Sequence, residues 1–185
     1  MEIEKENPLK TINDLENLNF YIPNYQRGYR WGKIEVNALL QDILDFYQTD
    51  RNKESFYCLQ PIVVKKDSKR YKVIDGQQRL TTIFLIIKFL NNKDIFDINY
   101  QTRRESNDFL KNIQNKLDSE RVNIDFFYFL NAYKEIKKFF NDKMEEISKE
   151  EFLQTLLYSC KVLWYEISEQ EKENEVFIRL NRSIY

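Results

Sequence analysis

Histidine is absent from this 185-residue chain. That absence excludes Ser-His-Asp and Cys-His nucleophile activation, HNH-type metal fingers and H-E-x-x-H zinc sites within the sequence. Any catalysis must run on Asp, Glu, Lys, Arg or Tyr side chains, or on a metal held by oxygens. Cysteine is scarce as well. Cys58 and Cys160 are the only two, they lie in apolar stretches, and no CxxC spacing joins them. A zinc site is therefore excluded, and both read as buried free thiols of a reducing compartment. Long apolar runs are missing: Ile83 to Ile87 and Phe126 to Leu130 are far too short to span a bilayer. The polar stretch from Met1 to Lys10 lacks the apolar core of a signal peptide. The expectation is a cytoplasmic protein with no membrane partner. Neither sign of charge dominates, with 29 basic against 30 acidic residues, which argues against a protein built mainly to coat nucleic acid and leaves room for a local basic patch.

What is present suits a folded domain. Hydrophobic residues make up 42% and aromatic residues 15% of the chain, enough for a substantial core. Asn19 to Ile22 reads as a short strand ended by Pro23. Val36, Leu40, Ile43, Leu44 and Tyr47 recur at helical spacing and predict a helix over 34–48. The β-branched and aromatic stretch 56–65, the polar turn 66–69 and the return stretch 70–74 predict a β-hairpin, with Pro61 marking an edge position or a bulge. Leu80, Ile83, Phe84, Ile87 and Leu90 predict a helix over 78–91. Beyond it the periodicity is helical, with faces at Phe109–Leu117, Phe126–Phe140 and Phe152–Leu157. A strand follows over 161–167, then a last helix over 171–181. The expected class is α/β (α+β): a small mixed sheet with helices packed on it in residues 1–95, then a mostly helical half in 96–185.

Three segments carry the chemistry. In the first, Tyr71 to Thr82, a strand runs through Asp75-Gly76 directly into a helix, so the free amides and the dipole of the first helical turn favour an anion. Gly76 permits close approach of the backbone, Arg79 supplies a planar charged fork suited to phosphate, and Thr81 and Thr82 offer hydroxyls. Asp75 stands where it can hold a metal ion or a water. The competing reading is a plain turn, with Asp75 as a helix cap and Arg79 in a surface ion pair. In the second segment, Ile22 to Gly32, Arg27 and Arg30 interleave with Tyr25, Tyr29 and Trp31, and such a loop can stack a base and grip a phosphate. Equally, its rings can pack on the core while its arginines face water. All three glycines of the chain fall in these two segments, which raises the weight of a special backbone shape there. The third segment, Glu175 to Ser183, brings Arg179, Asn181 and Arg182 onto a helix whose Val176, Phe177 and Leu180 read as core.

Together these segments resemble the N-terminal domain of GmrSD-type restriction proteins, in which IPNYQRGYRW, VIDGQQRLTT and VFIRLN occur in this order. The resemblance runs from about Asn19 to Asn181. It implies kinship with the ParB and sulfiredoxin group of folds, where a strand–G-x-x-R–helix element binds nucleotide phosphates, and a role in phage defence by restriction of modified DNA. Carried over by motif, Gly76, Arg79, Thr81, Gln26 and Arg27 bind a nucleoside triphosphate. Asp75, Gln77 and Gln78 act in its hydrolysis, with Asp75 beside a Mg²⁺ ion. Arg30, Trp31, Arg179 and Asn181 stand as possible ligand or DNA contacts. Where sulfiredoxin-like members have a reactive cysteine after the motif glycine, this chain has Gln77, so reductase activity is not expected. Full-length members carry a C-terminal HNH nuclease domain; this chain is not expected to cut DNA by itself, and its end in a helical region suggests truncation. A homodimer is a further expectation. The rival readings are a DNA-reading module built on Arg27, Arg30 and Trp31 without hydrolysis, and an assembly scaffold inert to both ligands.

Overall fold

The computed structural model describes residues 8–49, 55–117, 123–143, 147–168 and 170–171. Six strands form one mixed sheet in the order β1-β6-β3-β4-β2-β5. They are β1 (Leu9–Thr11), β2 (Asn19–Ile22), β3 (Tyr57–Asp67), β4 (Arg70–Asp75), β5 (Asp97–Tyr100) and β6 (Cys160–Ile167). The helices are α1 (Lys33–Thr49), α2 (Gln77–Asn91), α3 (Ser106–Lys111), α4 (Ile124–Asp142) and α5 (Lys149–Gln154). The α+β class expected from the sequence holds. The hairpin of β3 and β4 turns through two residues, with Ser68 at a φ of 56° and Asp67 paired to Arg70. Pro61 lies inside β3, where the register against β6 shifts between Leu59 and Ile62. The bulge is thus the correct alternative. The edge position is not, because β3 lies between β6 and β4.

Alternation along β4 sends Val73 into the large core and Ile74 into a small cluster with Val63 and Ile167. The large core takes Val36, Leu40, Ile43 and Leu44 from α1 and almost every residue of α2 from Leu80 to Ile87. A helix apolar all round must be covered on all sides, and α2 packs on α4 as well as on the sheet side of the core. Helix α4 is capped by Asn123, whose side chain accepts from the amides of Asp125 and Phe126 at 3.0 Å. It brings Phe126, Phe129, Ile136 and Phe140 inward, and Phe126 stacks on Phe109 with ring centres 3.9 Å apart.

Several expectations are corrected. β1 lies in what reads as a polar lead-in, and β5 in what reads as a helical half; strands of three and four residues are too short to show a period. The helix expected to reach Leu117 is only α3 followed by a single turn at Ile113–Asn115, and Leu117 is exposed. Cys58 is exposed, because the alternation of β3 turns Leu59 rather than Cys58 inward. The helix expected over 171–181 lies, beyond its first residue, outside the described residues, as do Arg179 and Asn181. Among the described residues no helix is long and apolar enough to cross a membrane.

Cys160 is buried as expected, and burial pushes its thiol up from 9.0 to about 12. Burial also raises the phenols of Tyr29 and Tyr100 above their ordinary 10.0. A group raised in the folded state contributes fully below its unfolded value, and that contribution is lost as pH rises toward the folded value. Between about pH 9 and 12 the unfolded chain releases protons that the native state keeps, so each group lowers stability by about 1.4 kcal/mol per pH unit over its window. Urea midpoints measured from pH 8 to 11 should therefore fall. Cys160→Ala should remove the part of the decline that begins near pH 9; an unchanged profile would show the thiol to be accessible.

Candidate functional site

The junction of β4 and α2 consists of Gly76 alone. Its φ is 96°, a conformation L residues rarely adopt, and a Cβ there would come within 3.2 Å of the Pro61 carbonyl oxygen and of Ile62 Cγ1. The close approach expected toward a ligand is thus made toward the bulge of β3. Gly76 provides no side chain to cap α2, so the amides of Gln77, Gln78 and Arg79 have no acceptor within the helix. They open at a cleft of about 440 Å³, lined by Tyr25, Gln26, Arg27, Trp31, Gln60 and the run Asp75 to Arg79. Arg27, from the 23–32 loop, and Arg79, from the first turn of α2, line the same cleft although they lie far apart in sequence.

The two glutamines of the motif fasten the 23–32 loop to the start of α2. Gln78 Oε1 accepts from the amides of Arg30 at 2.7 Å and Trp31 at 3.3 Å, and its Nε2 donates to the Gly28 carbonyl at 2.9 Å. Gln77 Nε2 donates to Gln26 Oε1 at 3.2 Å, while Gln26 Nε2 donates to the Ile74 carbonyl at 2.7 Å. Both motif glutamines are under a tenth exposed. One turn on, the hydroxyl of Thr82 meets that of Tyr29 at 2.9 Å, so the loop is held along two turns of α2.

Arg79 faces the bulge: its Nη1 donates to the carbonyls of Pro61 at 3.0 Å and Gln60 at 3.2 Å, and its Nη2 donates to Gln60 Oε1. Burial pulls Arg79 below the ordinary guanidinium value, and the charge of Asp75 opposes that shift. Arg27 is exposed at the lip of the cleft. Among the described residues, Asp75 is the one carboxylate lining it.

Other expected site residues lie elsewhere. Thr81 is fully buried, and its hydroxyl donates to the Gln77 carbonyl and meets the Tyr100 hydroxyl, both at 2.8 Å. It fixes the helix start and cannot reach a ligand. Arg30 turns away from the cleft and pairs with Asp125, a side chain only 1% exposed that also pairs with Arg103 Nε at 2.9 Å. A Cβ at Gly28 would lie 2.0 Å from Asp125 Oδ1, so this glycine exists to admit a buried carboxylate. Sequence reasoning missed Asp125, because an acid in the first turn of a helix is ordinary. It also missed Gln60, whose one signal was the neighbouring Pro61.

A mixed sheet whose central hairpin runs into a buried helix, with the 23–32 loop pinned across that helix's open N-terminus, defines an α+β domain with a polar cleft at a strand-to-helix junction. The chain belongs to the GmrSD restriction endonuclease N-terminal domain family, which matches residues 9–183. That membership makes it a component of a restriction system. Among curated proteins no match was found.

Proposed function

We propose that the cleft binds a nucleoside triphosphate, with its phosphates at the N-terminus of α2, and that the domain uses this ligand to regulate restriction of modified DNA by a nuclease domain. The observation that carries the reading is the convergence of Arg27, Arg79 and the first turn of α2, whose amides have no acceptor within the helix, on one cleft large enough for a nucleotide's phosphates and sugar. Amides and dipole favour an anion there, and two guanidinium groups add charge-assisted hydrogen bonds. Among the described residues no three His, Cys, Asp or Glu side chains gather into a metal site. A Mg²⁺ ion fits the cleft only when brought by the phosphates, with Asp75 as its protein ligand, since this ion keeps several waters and needs few carboxylates; bound, it would neutralise phosphate charge. In hydrolysis Asp75 would orient the attacking water and Gln77 would hold it. Gln78 is committed to the loop and serves to position it.

A DNA-reading role for Arg27, Arg30 and Trp31 loses its middle member to the Asp125 pair. The two readings separate in thermal melts with nucleotides and Mg²⁺ in one series and duplex DNA in the other. At a hundredfold excess over Kd, a nucleotide should stabilise the domain by about 2.7 kcal/mol. Arg27→Ala should remove most of that gain without shifting the unliganded melt, because Arg27 is exposed. Stabilisation by DNA alone would favour the rival.

A further inference from the structure

Arg27 stands between two fastened residues. On one side, Gln26 is bound to the Ile74 carbonyl and to Gln77. On the other, the Gly28 carbonyl accepts from Gln78, and its backbone is pressed against the start of α4. Gly28 does not share the positive φ of Gly76, so space rather than conformation calls for glycine. A Cβ there would lie 2.0 Å from Asp125 Oδ1 and 2.8 Å from Oδ2. The Asp125 carboxylate is thus the wall behind the backbone that carries Arg27, although Asp125 does not line the cleft. Its own place is fixed from both sides. It belongs to the first turn of α4, whose amides Asn123 caps, and the guanidinium groups of Arg30 and Arg103 hold its oxygens. Arg27 is exposed, so the backbone beneath it sets where its guanidinium points.

We propose, resting on the phosphate reading of the cleft, that Asp125 is a positioning residue for the ligand's phosphates: through Gly28 and Arg30 it holds the loop in the shape that aims Arg27 into the cleft before a ligand arrives. The sign of its effect separates this role from plain electrostatics. A carboxylate near an anion site repels the anion, so on charge alone its removal tightens phosphate binding. Placement works in the opposite direction. Without the charge, Arg30 loses its buried counter-ion and the backbone of residues 28–30 is released from α4. Arg27 must then be ordered during binding, which weakens affinity. One carboxylate faces two guanidinium groups, so the three side chains together do not repel an anion. A buried acid can therefore stand behind a phosphate site without opposing it.

Calorimetry with inorganic triphosphate and Mg²⁺ reads the phosphate end without a sugar or base. The wild type is compared with Asp125→Asn, which keeps the shape and removes the charge, with Arg27→Ala, and with the double variant, all well below their melting midpoints. Asp125→Asn should weaken triphosphate binding about tenfold. Arg27→Ala should weaken it about tenfold in the wild type and at most about twofold in the Asp125→Asn protein, because an arginine already out of place has little left to lose. Two further variants separate placement from loss of fold. Ile136→Ala removes core packing from the same helix and should leave triphosphate affinity unchanged. Arg30→Lys keeps the net charge, loses the planar fork and lies outside the cleft lining, and should weaken triphosphate about threefold. Unchanged or tighter binding by Asp125→Asn overturns the proposal and leaves the phosphate reading intact. So do fully additive losses with Arg27→Ala, and equal weakening by Ile136→Ala. Should Asp125→Asn fail to fold, Arg30→Lys decides, and unchanged affinity there overturns the proposal. Wild-type protein that does not bind triphosphate overturns both readings.

Discussion

Asp125→Ala should destabilise the domain by about 3–5 kcal/mol, the usual consequence of removing one member of a buried charge pair. Arg30 and Arg103 both direct their guanidinium groups at this buried carboxylate, and without it two half-buried cations are left facing each other with no counter-charge between them. The effect has a second component. Arg30 is tied to α4 by this ion pair and by lying over the Tyr128 ring, so the loop of residues 23–32 would keep its attachments to Gln78 and Thr82 and the packing of Tyr29 on Phe129 and lose its charged link to α4. Denaturant unfolding gives the stability directly, and a double-mutant cycle with Gly28 isolates the contact. In the wild-type background Gly28→Ala should be severely destabilising, because its Cβ would sit 2.0 Å from Asp125 Oδ1. In the Asp125→Ala background the same change should be nearly harmless. Additive effects of the two substitutions would show that the loop and α4 do not meet as described.

The next largest effect should come from Arg79. Charge-assisted hydrogen bonds are worth about 1.5–3 kcal/mol each, so Arg79→Ala should weaken nucleotide binding by roughly tenfold to a hundredfold. Read from sequence alone, the fold should be indifferent to this change, since Leu80, Ile83, Phe84 and Ile87 bury the helix. The structure adds a structural role: the guanidinium satisfies carbonyls of Gln60 and Pro61 at the β3 bulge. A loss of about 1 kcal/mol in stability is therefore expected as well, and affinities must be compared well below the melting midpoint. Arg79→Lys keeps the charge and loses the planar fork, so it should recover part of the binding and little of the bulge contact. Equal nucleotide affinities in folded wild type and Arg79→Ala would remove this residue from the site.

The sequence made the elements around the site legible because their signals are local and strong. The hairpin followed from β-branched stretches around a polar turn, the helices from apolar spacing, and the strand-to-helix junction from Asp75-Gly76. The shared cleft of Arg27 and Arg79 was also readable, through the glycines that cluster in these two segments alone. What stayed hidden depends on distant contacts. Gln77 and Gln78 carry amides that suit a water as well as a backbone, and only the fold shows that Gln78 grips the loop. Thr81 and Thr82 look alike in sequence, and nothing local shows that both hydroxyls are enclosed by tyrosines. Asp125 lies far from the loop it fixes, so no spacing rule connects them.

The position of β6 determines when the sheet can form. Tyr57 of β3 pairs with Cys160 of β6, and β1 attaches to the sheet through β6 alone. On a ribosome, the hairpin and α2 emerge early, yet one side of β3 stays an unpaired, apolar strand edge until the chain has been synthesised past residue 167. Such non-local pairing makes folding slow, and an open edge invites pairing with other chains. The domain should consequently depend on its later residues for solubility during synthesis, and nascent chains arrested before residue 160 should be prone to aggregate even though they contain the whole DGQQR element.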